Sequence, residues 1–106
     1  MSETELMREV VRRTLTVMPD VQKIVLFGSR ARSDHRADSD VDLLIIKRNL
    51  PPVGTRSVAL RLALRGLGVG FDLVVVTPEE WGQMRNLRGT IGEAADQDGW
   101  VLHEAA

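Results

Sequence analysis

An α/β fold, a small mixed β-sheet flanked by helices, is what this sequence predicts, and three observations carry the prediction. Three short apolar runs, Ile24–Phe27, Val41–Ile46 and Phe71–Val76, have the length and β-branched character of strands. Amphipathic stretches at helical spacing bracket them, at about residues 3–18 and 55–67. The second of these lies between the second and third runs, where it supplies the crossover that a parallel strand pair requires.

Ser2 and Glu5 have the spacing of a capping box, and the stripe Leu6, Val10, Val11, Leu15 and Met18 follows, so a helix is expected from about residue 3 to 18, stopped by Pro19-Asp20. Ile24-Val25-Leu26-Phe27 is apolar without alternation, the mark of a strand buried on both faces, and Gly28 ends it. Residues 28 to 40 form a polar connection to the second strand, Val41 to Ile46, which Asn49-Leu50-Pro51-Pro52 breaks. From Thr55 to Leu67, the positions Ala59, Leu60, Ala63, Leu64 and Leu67 share one helical face, with Arg61 and Arg65 on the other. Phe71 to Val76 is the third strand. Thr77-Pro78-Glu79-Glu80 then reads as N-cap, first-turn proline and capping glutamate, and Thr90 with Glu93 repeats the signature before a last helix stopped by Gly99. Trp100-Val101-Leu102 allows a short edge strand.

With 106 residues, the chain predicts one domain spanning 1–106. Its 14 basic residues, 12 of them Arg, balance 15 acidic ones, which removes the footprint of a general nucleic-acid binder. The absence of cysteine excludes a disulfide scaffold and a Cys-type zinc site, and is in keeping with a reducing cytosol, so a cytoplasmic location is expected. The start MSETELMREVV is acidic and amphipathic, unlike a signal peptide, and no apolar run reaches membrane-spanning length.

Chemistry concentrates between Gly28 and Asp42. Alternate strand residues point the same way, which sets Asp40 and Asp42 on one face about 6.6 Å apart. Two such carboxylates beside Val41, Leu43 and Leu44 repel each other, and a divalent cation resolves the conflict; oxygen ligands suit Mg2+ or Mn2+, with substrate phosphates completing the shell. Gly28-Ser29 supplies the other half. A glycine at a strand end permits a close turn, the N–H groups that follow cradle phosphate, and the Ser29 hydroxyl adds a further hydrogen bond. Arg30, Arg32 and Arg36 bring cations to the same loop, with Arg30 the candidate phosphate contact. A third carboxylate is expected, and Asp72 is the only acidic residue between Gly66 and Thr77. Gly28 ends strand one while Asp40 starts strand two, so they meet if those strands are antiparallel; Asp72 joins Asp40 and Asp42 if strands two and three are parallel.

Gly28-Ser29, ten residues, then Asp40-x-Asp42 and a later Asp72 resembles the signature of the DNA polymerase β-like nucleotidyltransferase superfamily. The short length, Thr77-Pro78-Glu79-Glu80-Trp81 and Gly99-Trp100-Val101-Leu102-His103-Glu104 resemble its minimal nucleotidyltransferase branch. The resemblance, covering about Lys23 to Glu104, implies a polymerase β palm-like fold. It implies two metal ions on Asp40, Asp42 and Asp72, with Asp72 helping to activate an acceptor hydroxyl. It also implies that Gly28 and Ser29 hold the β- and γ-phosphates. Ser33 departs from a Gly-Ser-x-Ala-x-Gly run common in the family. The same resemblance implies a HEPN-domain toxin as partner and acceptor, with AMP transferred from ATP to its hydroxyl. The alternatives are a non-catalytic toxin-binding antitoxin, and a small-molecule nucleotidyltransferase for which 106 residues leave little room. Arg32, Arg36, His35, His103, Lys23 and Lys47 read as solvated surface groups, and Trp81 and Trp100 as core or interface anchors.

Overall fold

The computed structural model describes residues 1–36, 38–87 and 91–106, with 91–94 described by their main chain alone. Helix α1 (Glu3–Val17) begins where the sequence says it should: the Ser2 hydroxyl accepts from the Glu5 N–H and the Glu5 carboxylate accepts from the Ser2 N–H, both at 3.1 Å. Such a reciprocal cap is worth about 1 kcal/mol. Strands β1 (Lys23–Phe27), β2 (Val41–Ile46), β3 (Phe71–Val76) and β4 (Trp100–Glu104) form one sheet in the order β3-β2-β1-β4. β1 is antiparallel to β2 and β4, and β2 is parallel to β3, as the placement of the aspartates required.

The crossover helix is shorter than its apolar pattern. A 3-10 turn at Val53–Thr55 and then α2 (Val58–Ala63) replace one helix over 55–67, and Ala59 is exposed while Leu60 and Leu64 are buried. Two features cut it down. The Ser57 side chain makes no capping bond, and Arg13 of α1 donates to the carbonyls of Ala63 (3.2 Å) and Arg65 (2.7 Å), closing the last turn from outside.

Helix α3 (Pro78–Met84) carries the expected Thr77–Glu80 capping box, and Glu80 also receives the Arg56 guanidinium at 2.6 Å. Helix α4 (Ile91–Asp98) leads into β4; the signature read at Thr90 and Glu93 lies outside the described residues.

Alternation along the strands splits the core in two. Ile24, Leu26, Val41, Leu43 and Ile45 pack with Leu6 and Val10 of α1 and Leu60 of α2. Val25, Phe27, Leu44, Ile46 and Val76 face the other way, against Ala95 of α4 with Trp81 and Met84 of α3. Burying each large side chain contributes about 1.5–3 kcal/mol. No helix among the described residues is long and apolar enough to cross a membrane.

Candidate active site

β1 ends at Phe27 and β2 begins at Val41, and the register sets Phe27 opposite Asp42, which in turn lies opposite Asp72 of β3. One end of the sheet therefore holds the Gly28 turn, Asp42 and Asp72 together. Asp42 alternates with Val41 and Leu43 and shares the side of Leu44 and Ile46, so it belongs to the α3/α4 face.

Gly28 takes φ +74°, and its missing side chain is what admits the carboxylate: a Cβ there would stand 2.0 Å from Asp42 Oδ2. Successive turns follow, with Ala31 N–H and Arg32 N–H donating to the Gly28 carbonyl (3.1 and 3.3 Å) and Asp34 N–H to that of Ser29 (3.2 Å). Neither the Ser29 N–H nor its hydroxyl has a partner among the described residues. Ser33 adopts φ +62°, the left-handed conformation that a glycine would take without strain.

Asp42 is half-buried, whereas Asp40 and Asp72 are exposed. Burial first, then the hydrogen bond and charge of Asp72 and the charge of Asp40, push the Asp42 carboxyl up from 3.8 to about 6, against a smaller pull downward from Arg32. Asp40 precedes β2, and its carboxylate lies against Gly70, where a Cβ would stand 2.5 Å from Oδ1. Among the described residues no three His, Cys, Asp or Glu side chains close into a complete metal-holding cluster. The donor chemistry of Asp40, Asp42 and Asp72 fits Mg2+ or Mn2+: all are carboxylates, a cation would relieve their mutual repulsion, and Mg2+ retains waters and takes substrate phosphates rather than a full protein cage.

The raised carboxyl has a measurable consequence. Between pH 3.8 and about 6 the folded chain holds the Asp42 proton that the unfolded chain has released. Folded-state proton binding then exceeds that of the unfolded state, so this group makes the cation-free protein less stable as pH rises through that window. Urea melts in EDTA, taken as the difference between wild type and Asp42→Asn from pH 4 to 7, should show the decline; a flat difference would contradict it.

Arg30 is in another neighbourhood. Its buried guanidinium donates to Glu3 of α1 (2.7 Å) and, through Nε and Nη2, to the Ser39 carbonyl (3.2 and 2.6 Å). With Leu26, it lines a groove on the α1 side of the sheet, opposite the face of Asp42. Arg30→Ala removes both ends of this tie, and an unfolding cost of about 2 kcal/mol is expected by chemical denaturation. His35 lies beside Glu3 (3.9 Å), Trp81 packs on the α3/α4 core, and Trp100 is 63% exposed. Lys23 and Lys47 pair with Glu104 (3.6 Å) and Asp20 (3.2 Å). Sequence reasoning missed Gly70; its only signal was a glycine two residues before Asp72.

A glycine turn with carboxylates at one strand end has the donor chemistry to take a phosphate together with a divalent cation. The chain belongs to the nucleotidyltransferase domain family, whose model matches residues 5–100, and it is an enzyme of that class. It is 29% identical over 72 residues to a candidate protein adenylyltransferase of Methanocaldococcus jannaschii, covering 67% of this chain and 72% of that protein. The fold is similar to a chain in a toxin–antitoxin complex with AMP-PNP, with a TM-score of 0.70 at 18% identity, covering 93% of this chain and 73% of that one. It is also similar to a chain in a complex of the MNT antitoxin with the tri-AMPylated HEPN toxin of Shewanella oneidensis, with a TM-score of 0.67 at 16% identity, covering 98% and 74%.

Proposed function

We propose that this enzyme transfers AMP from ATP to a hydroxyl of a protein partner, and that the partner is a HEPN-type toxin. One observation carries the reading: the Asp42 carboxylate is seated against the Gly28 turn and Asp42 is the register partner of Asp72, so phosphate donors and carboxylate acceptors adjoin. The Ser29 N–H and hydroxyl, both without a partner among the described residues, hold the β- and γ-phosphates. Asp40, Asp42 and Asp72 would hold two Mg2+ ions, or Mn2+, which would neutralise phosphate charge and make the acceptor hydroxyl more acidic. Asp72, exposed at the start of β3, faces the incoming acceptor and draws its proton. The acceptor oxygen bonds to the α-phosphorus, the bond from that phosphorus to the bridging oxygen breaks, and pyrophosphate leaves. Arg30, occupied by Glu3 and Ser39, anchors the phosphate loop to α1 rather than touching nucleotide. The partner assignment is supported by the toxin named in the complexes of similar fold.

Incubating the protein with α-labelled ATP, Mg2+ and its co-purifying partner should label the partner. Equal labelling by Asp40→Asn or Asp42→Asn would rule out the mechanism. Toxin neutralisation that persists without nucleotide in the double variant would identify a binding module instead.

A further inference from the structure

We propose that Gly70 is a positioning residue for Asp40, present to leave room for a carboxylate rather than to shape the backbone. The role rests on Asp40 being a cation ligand, as proposed above. Gly70 immediately precedes β3, and its carbonyl accepts the Val41 N–H at 2.9 Å, which fixes its main chain beside Asp40. A Cβ at Gly70 would lie 2.5 Å from Asp40 Oδ1, 3.2 Å from Cγ and 3.6 Å from Oδ2, so the carboxylate occupies the space of the missing side chain. Gly70 is not among the glycines with positive φ, so an alanine there meets no backbone objection.

Its one obstacle is the Asp40 carboxylate, which is exposed and outside any strand. Substitution therefore displaces Asp40 and leaves the fold intact. Gly28 makes room for Asp42 in a comparable way but with a left-handed backbone as well, so only Gly70 separates the placement of a carboxylate from the geometry of a turn.

The test uses wild type, Gly70→Ala, Asp40→Ala and the double variant. Melting is followed in nucleotide-free MnCl2 titrations, and transfer is followed against Mg2+. Gly70→Ala should melt within about 2 °C of wild type without cation. It should raise the half-saturating Mn2+ concentration about tenfold. The Mg2+ requirement of transfer should move in the same proportion, with kcat at saturating Mg2+ changed less. In the Asp40→Ala background, adding Gly70→Ala should change nothing further. A wild-type Mn2+ midpoint for Gly70→Ala, a further loss in the double variant, or a large fall in cation-free melting temperature each overturns the positioning role. Asp40→Ala with unaltered Mn2+ binding overturns the assignment of Asp40 itself and removes the basis for Gly70; impaired Asp40→Ala with silent Gly70→Ala overturns Gly70 alone.

Discussion

Asp42→Asn is expected to lower nucleotide transfer by about a thousandfold while making the cation-free protein more stable. The opposite signs have one cause. Asp42 is half-buried and faces Asp72 across the parallel pair, and this environment lifts its carboxyl from 3.8 to about 6, so at neutral pH the fold carries an ionised group it disfavours. A shift of that size corresponds to about 3 kcal/mol at full strength, and screening of a partly exposed group reduces it to about 1 kcal/mol. Asparagine keeps the shape, can donate to Asp72 and removes the charge, so the melting temperature in EDTA should rise by about 4 °C. The same exchange deprives the site of its best-embedded anionic oxygens, and electrostatic contributions to transfer are lost with them. With Mg2+ and ATP present the order should reverse, because ligand binding stabilises the wild type more than the variant. Asp38→Asn, an exposed change in the same loop, should alter neither measurement. Calorimetry in EDTA and labelled transfer together decide it: a variant both less stable and still active would contradict the electrostatic account.

Much of this arrangement is legible in the sequence because it is written in periodicity and in caps. Continuous apolar runs mark the strands, and Ser2–Glu5 and Thr77–Glu80 mark helix starts that both form. The parallel pairing of β2 with β3 follows from bringing Asp72 to Asp42, and they are register partners. Contacts made from far along the chain are what the sequence hides. The apolar pattern of 55–67 is equally satisfied by a 3-10 turn and a short helix, and the terminating donor, Arg13, lies 50 residues away from Ala63. Arg30 resembles a phosphate contact because its charge and loop suit one; nothing local announces that Glu3, 27 residues earlier, already holds it. Gly70 is a subtler omission, since a side chain required to be absent leaves no chemical signature until the neighbouring carboxylate is located.

Gly28→Ala should be the most damaging single methyl group in the site, costing about 2–3 kcal/mol of stability and most of the transfer activity. Two costs combine. An alanine at φ +74° carries left-handed strain of about 1–2 kcal/mol. Its Cβ would also stand 2.0 Å from Asp42 Oδ2 and 3.0 Å from Cγ, a distance no real contact tolerates. Asp42 has less freedom than Asp40: it belongs to β2, register-paired to Phe27 on one side and Asp72 on the other, which fixes its Cβ 3.3 Å from the added methyl. Relief then comes from turning the Asp42 carboxylate, shifting the turn, or both, and each separates the Ser29 N–H and hydroxyl from the carboxylate. Gly66 isolates the strain: it has φ +84° and nothing within 4 Å of where a Cβ would stand, so Gly66→Ala bears the backbone cost alone. Urea unfolding should therefore rank Gly28→Ala below Gly66→Ala, with Gly66→Ala retaining full transfer and Gly28→Ala losing about a hundredfold. Equal stability losses would mean that the close approach to Asp42 contributes nothing. An active Gly28→Ala enzyme would mean that the phosphate turn and the carboxylates do not act as one unit.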